Sequence, residues 1–247
     1  MDLNNVNIFN ESNVKIISAD IDSAGINEGE QFVIDEIKKN SDDLFIIDYP
    51  CCNCRMLNLF NDNNITPKLQ KYYALDYRRR FTEKAIEKKD KKDKNITISF
   101  NNIITDRRWK KHNIDVLINN NYLQYELFPD KFINDLLQRI EAKFIYFLLP
   151  IPKENGQPLL DINARIKKIS NGQKMINNQY SREAIEEIAE KTGLKAKFIN
   201  ALDNVDYAIL FKIPEKKFEK EIKKPKRIKS ENKEIKQKTK AIIIDKD

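Results

Sequence analysis

Leu44-Phe45-Ile46-Ile47-Asp48-Tyr49-Pro50 sets four apolar residues in front of an aspartate and stops at a proline. A short apolar run bounded in this way reads as a strand buried on both faces, ended where proline can no longer donate to a sheet ladder. Upstream, Val14-Lys15-Ile16-Ile17-Ser18-Ala19 is a second such run, ending at Asp20-Ile21-Asp22. Between the two, residues 28–39 place Phe32, Val33, Ile34 and Ile37 near helical spacing, which predicts a helix. Strand, helix and strand within about 40 residues make a βαβ unit, so 14–19 and 44–48 are expected to run parallel.

Downstream, residues 67–94 are expected to form one charged helix with Pro67 at its start, dissolving into the mixed charges of 87–94. Residues 95–104 and 115–125 have the β-branched and aromatic content of strands. Asn119-Asn120-Asn121 stands where glycine is usual, and asparagine tolerates left-handed turns. Residues 130–140 predict an amphipathic helix leading into the most apolar strand, 144–149. Helices are expected at 159–169 and 181–191, the second capped by Ser181 and Gly193. Strands near 197–200 and at 207–213 complete the body, and Pro214 marks its boundary. The fold class is therefore α/β: a three-layer, mostly parallel, P-loop or Rossmann-like body over 1–214, with a basic, flexible or partly helical tail over 215–247. Strands 14–19, 44–48 and 144–149 should be neighbours or near-neighbours in one sheet, their carboxyl ends on a common edge.

The 247 residues are 40% hydrophobic, enough for a core, and 34% charged, above the usual quarter. No apolar run reaches the roughly 18 residues of a membrane helix. No basic segment leads into an apolar one at the start, so a secretory signal is not indicated. Three cysteines in Cys51-Cys52-Asn53-Cys54 cannot build a disulfide framework, which points to a reducing, cytoplasmic compartment. The charge is uneven: residues 215–247 hold 13 Lys and Arg against 7 Asp and Glu, while the chain as a whole is only +7. The basicity belongs to the tail, and Lys223, Lys224, Lys226 and Arg227 are candidate contacts to nucleic acid. Arg107-Arg108-Trp109-Lys110 is the other candidate, gripping phosphates with Trp109 stacked on a base; a solvated turn anchored by a buried Trp109 is the alternative.

Ligands of open α/β sheets gather at the carboxyl ends of the parallel strands. Asp20, Asp22 and Asp48 fall there, and carboxylates in that place hold Mg²⁺ through its water shell or orient a water for attack on phosphate. The same residues also cap helices and make turns. The adjacent cysteines chelate poorly, and nothing in the spacing of His112 adds a fourth zinc ligand, which leaves buried or reactive thiols.

Residues 14–22 resemble the second block of ParA/MinD-type ATPases, a buried strand ending in Asp-x-Asp, and residues 44–50 resemble their Walker B strand. Phe144 to Pro152 and the segment from Leu159 are similar to a later strand and helix of that family. The resemblance implies Asp22 and Asp48 as catalytic residues, Asp22 placing the attacking water. It implies Asp20, Asp48 and Pro50 around the cofactor, Asp48 as the metal residue, and ATP with Mg²⁺. No glycine precedes Gly25, so the phosphate loop is missing and the implied ATPase is degenerate or absent. The expected role is that of an accessory protein in DNA partition or plasmid mobilisation, with non-specific DNA contact through the tail, a protein partner or a second copy, and no membrane. Asp48-Tyr49-Pro50-Cys51 also resembles the acidic-proline motif of some nucleic-acid methyltransferases, and 181–213 resembles their C-terminal hairpin. That resemblance implies an S-adenosylmethionine-dependent methyltransferase-like protein acting on nucleic acid, or an inactive structural relative.

Overall fold

The computed structural model describes residues 25–39, 43–88, 94–106, 108–109, 113–153, 156, 166–168, 174–176, 178–201 and 205–213. The elements in chain order are α1 (Glu28–Lys38), β1 (Leu44–Asp48), α2 (Arg55–Asp62), β2 (Leu69–Asp76), α3 (Arg79–Lys88), β3 (Ile96–Phe100) and β4 (Ile114–Asn120). They continue with α4 (Pro129–Leu137), β5 (Ala142–Pro152), β6 (Ile166–Lys168), β7 (Lys174–Ile176), α5 (Arg182–Thr192), β8 (Lys195–Ile199) and β9 (Val205–Lys212).

Among the described residues, seven strands form one sheet in the order β3-β2-β1-β4-β5-β9-β8. The first five are parallel, and β9 runs antiparallel to both β5 and β8. Alternation along the central strands separates two cores. Phe45, Ile47, Leu117, Ile145 and Phe147 face Phe132, Ile133 and Leu136 of α4 and Ile185 and Ile188 of α5. Leu44, Ile46, Val116, Ile118 and Leu148 face Val33, Ile34 and Ile37 of α1 and Met56, Leu59 and Phe60 of α2. The result is the expected three-layer, mostly parallel α/β body.

The local signals for the helices are direct. Asn27 caps α1 in a reciprocal capping box with Glu30, and Ser181 accepts the Ala184 N–H at the start of α5. Gly193 ends α5 at φ 68°, a conformation that glycine adopts without steric cost. Asn121 turns left-handed after β4, at φ 53°.

Two sequence expectations need correction. Residues 67–94 are not one helix: Thr66–Lys68 is a single 3-10 turn, and Leu69–Asp76 is a strand between β1 and β3. A strand inside a parallel sheet is covered on both faces, so Tyr72, Ala74 and Leu75 are all buried and no alternation announces them. Residues 166–168, expected in a helix, pair antiparallel with 174–176. Strand 44–48 and residues 144–149 do lie parallel in one sheet, separated by β4. Both edges of β1 are taken by β2 and β4, so 69–76 and 114–120 are the parallel partners of 44–48. Residues 14–19 and the tail lie outside the described residues. Among the described residues, no helix is long and apolar enough to cross a membrane.

Candidate functional site

Strand order reverses between β1 and β4, and the crevice at their carboxyl ends is where a fold of this kind places its ligand. The turn at residues 49–54 forms its floor. It is tied to both neighbours: Tyr49 N–H donates to the Ile118 carbonyl at 2.9 Å, and Cys51 N–H to the Leu75 carbonyl at 2.9 Å. Asn119 Nδ2 donates to the Tyr49 carbonyl at 3.0 Å. Cys52 and Cys54 adopt φ of 50° and 61°, the left-handed region where glycine is at ease and a side chain is strained. All six residues of the turn are buried.

Asp76 ends β2 beside this turn, with no exposed surface. Its Oδ1 accepts the Arg78 backbone N–H at 2.8 Å and Nε at 2.7 Å. Its Oδ2 accepts Arg78 Nη2 at 2.6 Å and the Cys52 N–H at 2.9 Å. Four donors fill the four lone-pair sites of a carboxylate. Arg78 reaches on to the Cys52 sulfur at 3.2 Å, and its guanidinium carbon lies 4.3 Å from the Phe81 ring centre and 4.8 Å from that of Tyr122. One side chain thus touches the end of β2, the turn after β1 and the segment after β4. Around it, the Tyr77 and Tyr122 hydroxyls are hydrogen-bonded together and Tyr122 donates to Glu126, while Tyr49 stacks on Phe132.

Asp48 lies at the carboxyl end of β1, 1% exposed. Burial pushes its carboxyl up to about 7, against a hydrogen bond from Tyr72 that acts in the opposite direction. Tyr72 OH donates to Oδ2 at 2.8 Å, and Oδ1 has no partner. Among the described residues, no three His, Cys, Asp or Glu side chains come together as a metal site. On the α1 side of the crevice, Arg55 Nη2 donates to Glu30 at 2.7 Å and to the Gly25 carbonyl at 2.6 Å, and Asn120 Nδ2 donates to Glu30 at 2.8 Å.

Of the residues singled out in the sequence, Asp48 and Pro50 meet in this crevice. Asp20, Asp22, Arg107, Lys110, His112, Lys223, Lys224, Lys226 and Arg227 lie outside the described residues. Arg108 is exposed and holds Asp106 through Nη2 at 2.6 Å and Nε at 2.9 Å. Trp109 is 8% exposed and packs edge-on against Tyr73, ring centres 5.3 Å apart, the anchoring arrangement left open beside base stacking. Asp76, Arg78 and Tyr122 were missed. The signal for Asp76 was available: an acid closing a strand roughly 20 residues after the first β-α turn is the ribose-binding position of a Rossmann-type fold.

The chain matches no protein-family model and no curated protein. Solved structures do match. A SAM-dependent methyltransferase from Aquifex aeolicus is 16% identical, with 82% of this chain and 98% of that one covered at a TM-score of 0.54. An S-adenosylmethionine-dependent methyltransferase from Clostridium acetobutylicum is 11% identical, covering 83% and 99% at 0.55. LepI, in its complex with SAM, is 13% identical, covering 83% of this chain and 53% of its own at 0.56.

The fold is that of the S-adenosylmethionine-dependent methyltransferases. This methyltransferase fold overturns the ParA/MinD reading, and with it plasmid partition and the ATP and Mg²⁺ that the reading implied. Asp48 closes β1 of a 3-2-1-4-5 order that continues into the antiparallel β9 and then β8; it does not close a Walker B strand. The cofactor itself meets an obstacle. In a methyltransferase fold the first β-α turn needs glycines for close backbone approach, and the acid after β2 needs a free oxygen for ribose. Here the turn carries Pro50, Cys51, Cys52, Asn53 and Cys54, and Asp76 has no free acceptor. The residues present do not fit S-adenosylmethionine.

Proposed function

We propose that this chain is a methyltransferase-like protein whose cofactor crevice is closed by its own side chains: an inactive structural relative that contacts nucleic acid through its basic C-terminal segment. The observation that carries the first half is Arg78, which occupies Asp76 from three of its donors while spanning the crevice. Displacing it for a ligand leaves a buried carboxylate without its cation, which costs about 3–5 kcal/mol. At 1.4 kcal/mol per decade this removes roughly two to three and a half orders of magnitude from any affinity for the cofactor. The second half is supported by the charge of residues 215–247, 13 basic against 7 acidic side chains.

Isothermal titration of the full chain with S-adenosylmethionine and with S-adenosylhomocysteine tests the closed crevice. The expected result is no saturable heat with either. Stoichiometric binding in the micromolar range would overturn the reading, and methyl transfer to DNA or RNA on top of it would make the chain an enzyme.

A further inference from the structure

The three cysteines, which the closed crevice leaves unused, are not equivalent. Cys52 belongs to the core facing α4 and α5 and lies against Arg78. Cys51 and Cys54 belong to the opposite core, with Ile46, Met56, Phe60 and Tyr72. The Cys54 N–H donates to the Cys51 carbonyl at 2.8 Å, so residues 51–54 are a closed four-residue turn. Such a turn keeps its first and last Cα atoms within about 7 Å. A disulfide spans Cα separations of about 4.4–6.8 Å. Both side chains lie in the same buried cluster, the Cys51 sulfhydryl donates to the Cys52 carbonyl at 3.8 Å, and all three cysteines are free. A Cys-x-x-Cys pair closed in one turn between a strand and a helix has the layout of a dithiol that can be bridged.

We infer that Cys51 and Cys54 form a reversible disulfide by exchange with a low-molecular-weight disulfide such as glutathione disulfide, Cys52 remaining a spectator. Burial, reinforced by contact with Cys54 and by Asp76 and Asp48, pushes the Cys51 thiol well above its ordinary range. Cys54 stands at the N-cap of α2 and its side chain makes no capping hydrogen bond, so opening of the turn is what exposes its sulfur. Its thiolate attacks one sulfur of the small disulfide. A Cys54 mixed disulfide forms, and the first small thiolate leaves and takes up the proton that Cys54 gave. Cys51 then loses its proton and attacks the Cys54 sulfur, closing the internal bond and expelling the second small thiol. Two protein thiols lose two electrons and two protons, and one small disulfide becomes two thiols. Because both sulfurs are buried, exchange waits on opening of the turn and belongs to the slow range, minutes to hours.

The full chain, reduced and then held overnight with excess glutathione disulfide at mildly alkaline pH, is alkylated and mapped by tandem mass spectrometry. The expected map is a Cys51–Cys54 bond with the alkyl label on Cys52 alone, and all three labelled after dithiothreitol. Label on all three cysteines after oxidation, or a bond that includes Cys52, overturns the inference. Cys54→Ser treated in the same way should show no internal bond; a Cys51–Cys52 bond in that variant would overturn it as well.

Discussion

Arg78→Met tests what holds the crevice shut. Methionine keeps the length and apolar stem of the side chain and deletes the guanidinium. Two hydrogen bonds to Asp76 are lost, from Nε at 2.7 Å and Nη2 at 2.6 Å, while the backbone donors of Cys52 and residue 78 remain. Asp76 is then a buried carboxylate without its cation, a situation that costs about 3–5 kcal/mol. Loss of the cation from the faces of Phe81, Tyr77 and Tyr122 adds to this, at about 0.5–2 kcal/mol for each well-placed ring. The two surviving N–H donors offset part of the sum, so about 3–5 kcal/mol is the expected loss in urea denaturation. That is a large share of the roughly 5–15 kcal/mol that holds a domain folded. Asp76→Asn should be costly alone and much less so in the Arg78→Met background, with a coupling of about 2–3 kcal/mol across the double-mutant cycle. A loss below about 1 kcal/mol for Arg78→Met, the value of an exposed pair, would refute the account of a sealed crevice.

Asp48 predicts a pH dependence. Its folded-state carboxyl is raised from 3.8 to about 7, chiefly by burial, so between those values the folded chain binds a proton that the unfolded chain releases. Stability contributed by this group should fall as pH rises through that window, by an amount on the order of 3–4 kcal/mol at most; urea melts of the wild type and Asp48→Asn across the window check it, and an equal slope in both would refute it. Deleting residues 215–247 should weaken binding to all duplex DNA sequences alike and flatten the slope of log affinity against log salt by several units, at about 0.9 per phosphate contact. Anisotropy titrations at several salt concentrations measure this, and equal binding by the truncated chain would move the contact to the body, with Arg107, Arg108 and Lys110 the next residues to change.

Much of the fold was legible from short-range chemistry. The spacing of Phe32, Val33, Ile34 and Ile37 announces α1, Ser181 and Gly193 the two ends of α5, and the apolar runs at 44–48 and 144–149 two of the central strands. The site was less legible, and one misreading accounts for most of the loss. With 69–76 taken as the front of a charged helix, Asp76 was no longer a strand-end acid and Arg78 was only one of three successive arginines. Nothing local distinguishes Arg78 from Arg79, whose Nε reaches no further than Glu83, at 2.9 Å on the exposed face of α3. The difference is made by the turn and by Tyr122, both brought in from distant sequence. The ParA/MinD resemblance rested on an aspartate closing a buried strand, and every open parallel sheet offers that position.

The place of β9 has a bearing on how the chain reaches this structure. Among the described strands it is the last in sequence, yet it lies inside the sheet, paired with β5 along eight residue pairs and with β8 on its other side. During synthesis from the N-terminus, β5 therefore emerges well before the partner that covers one of its edges. Until Val205–Lys212 arrives, Leu148 and Leu149 sit on a strand whose backbone groups on that side are unpaired, a template for wrong pairing. Strand pairings of long sequence separation also close late and slowly. A nascent chain stalled just before Val205 should thus be the species most prone to aggregate and most dependent on a chaperone, and pairing of β5 with β9 becomes a late event.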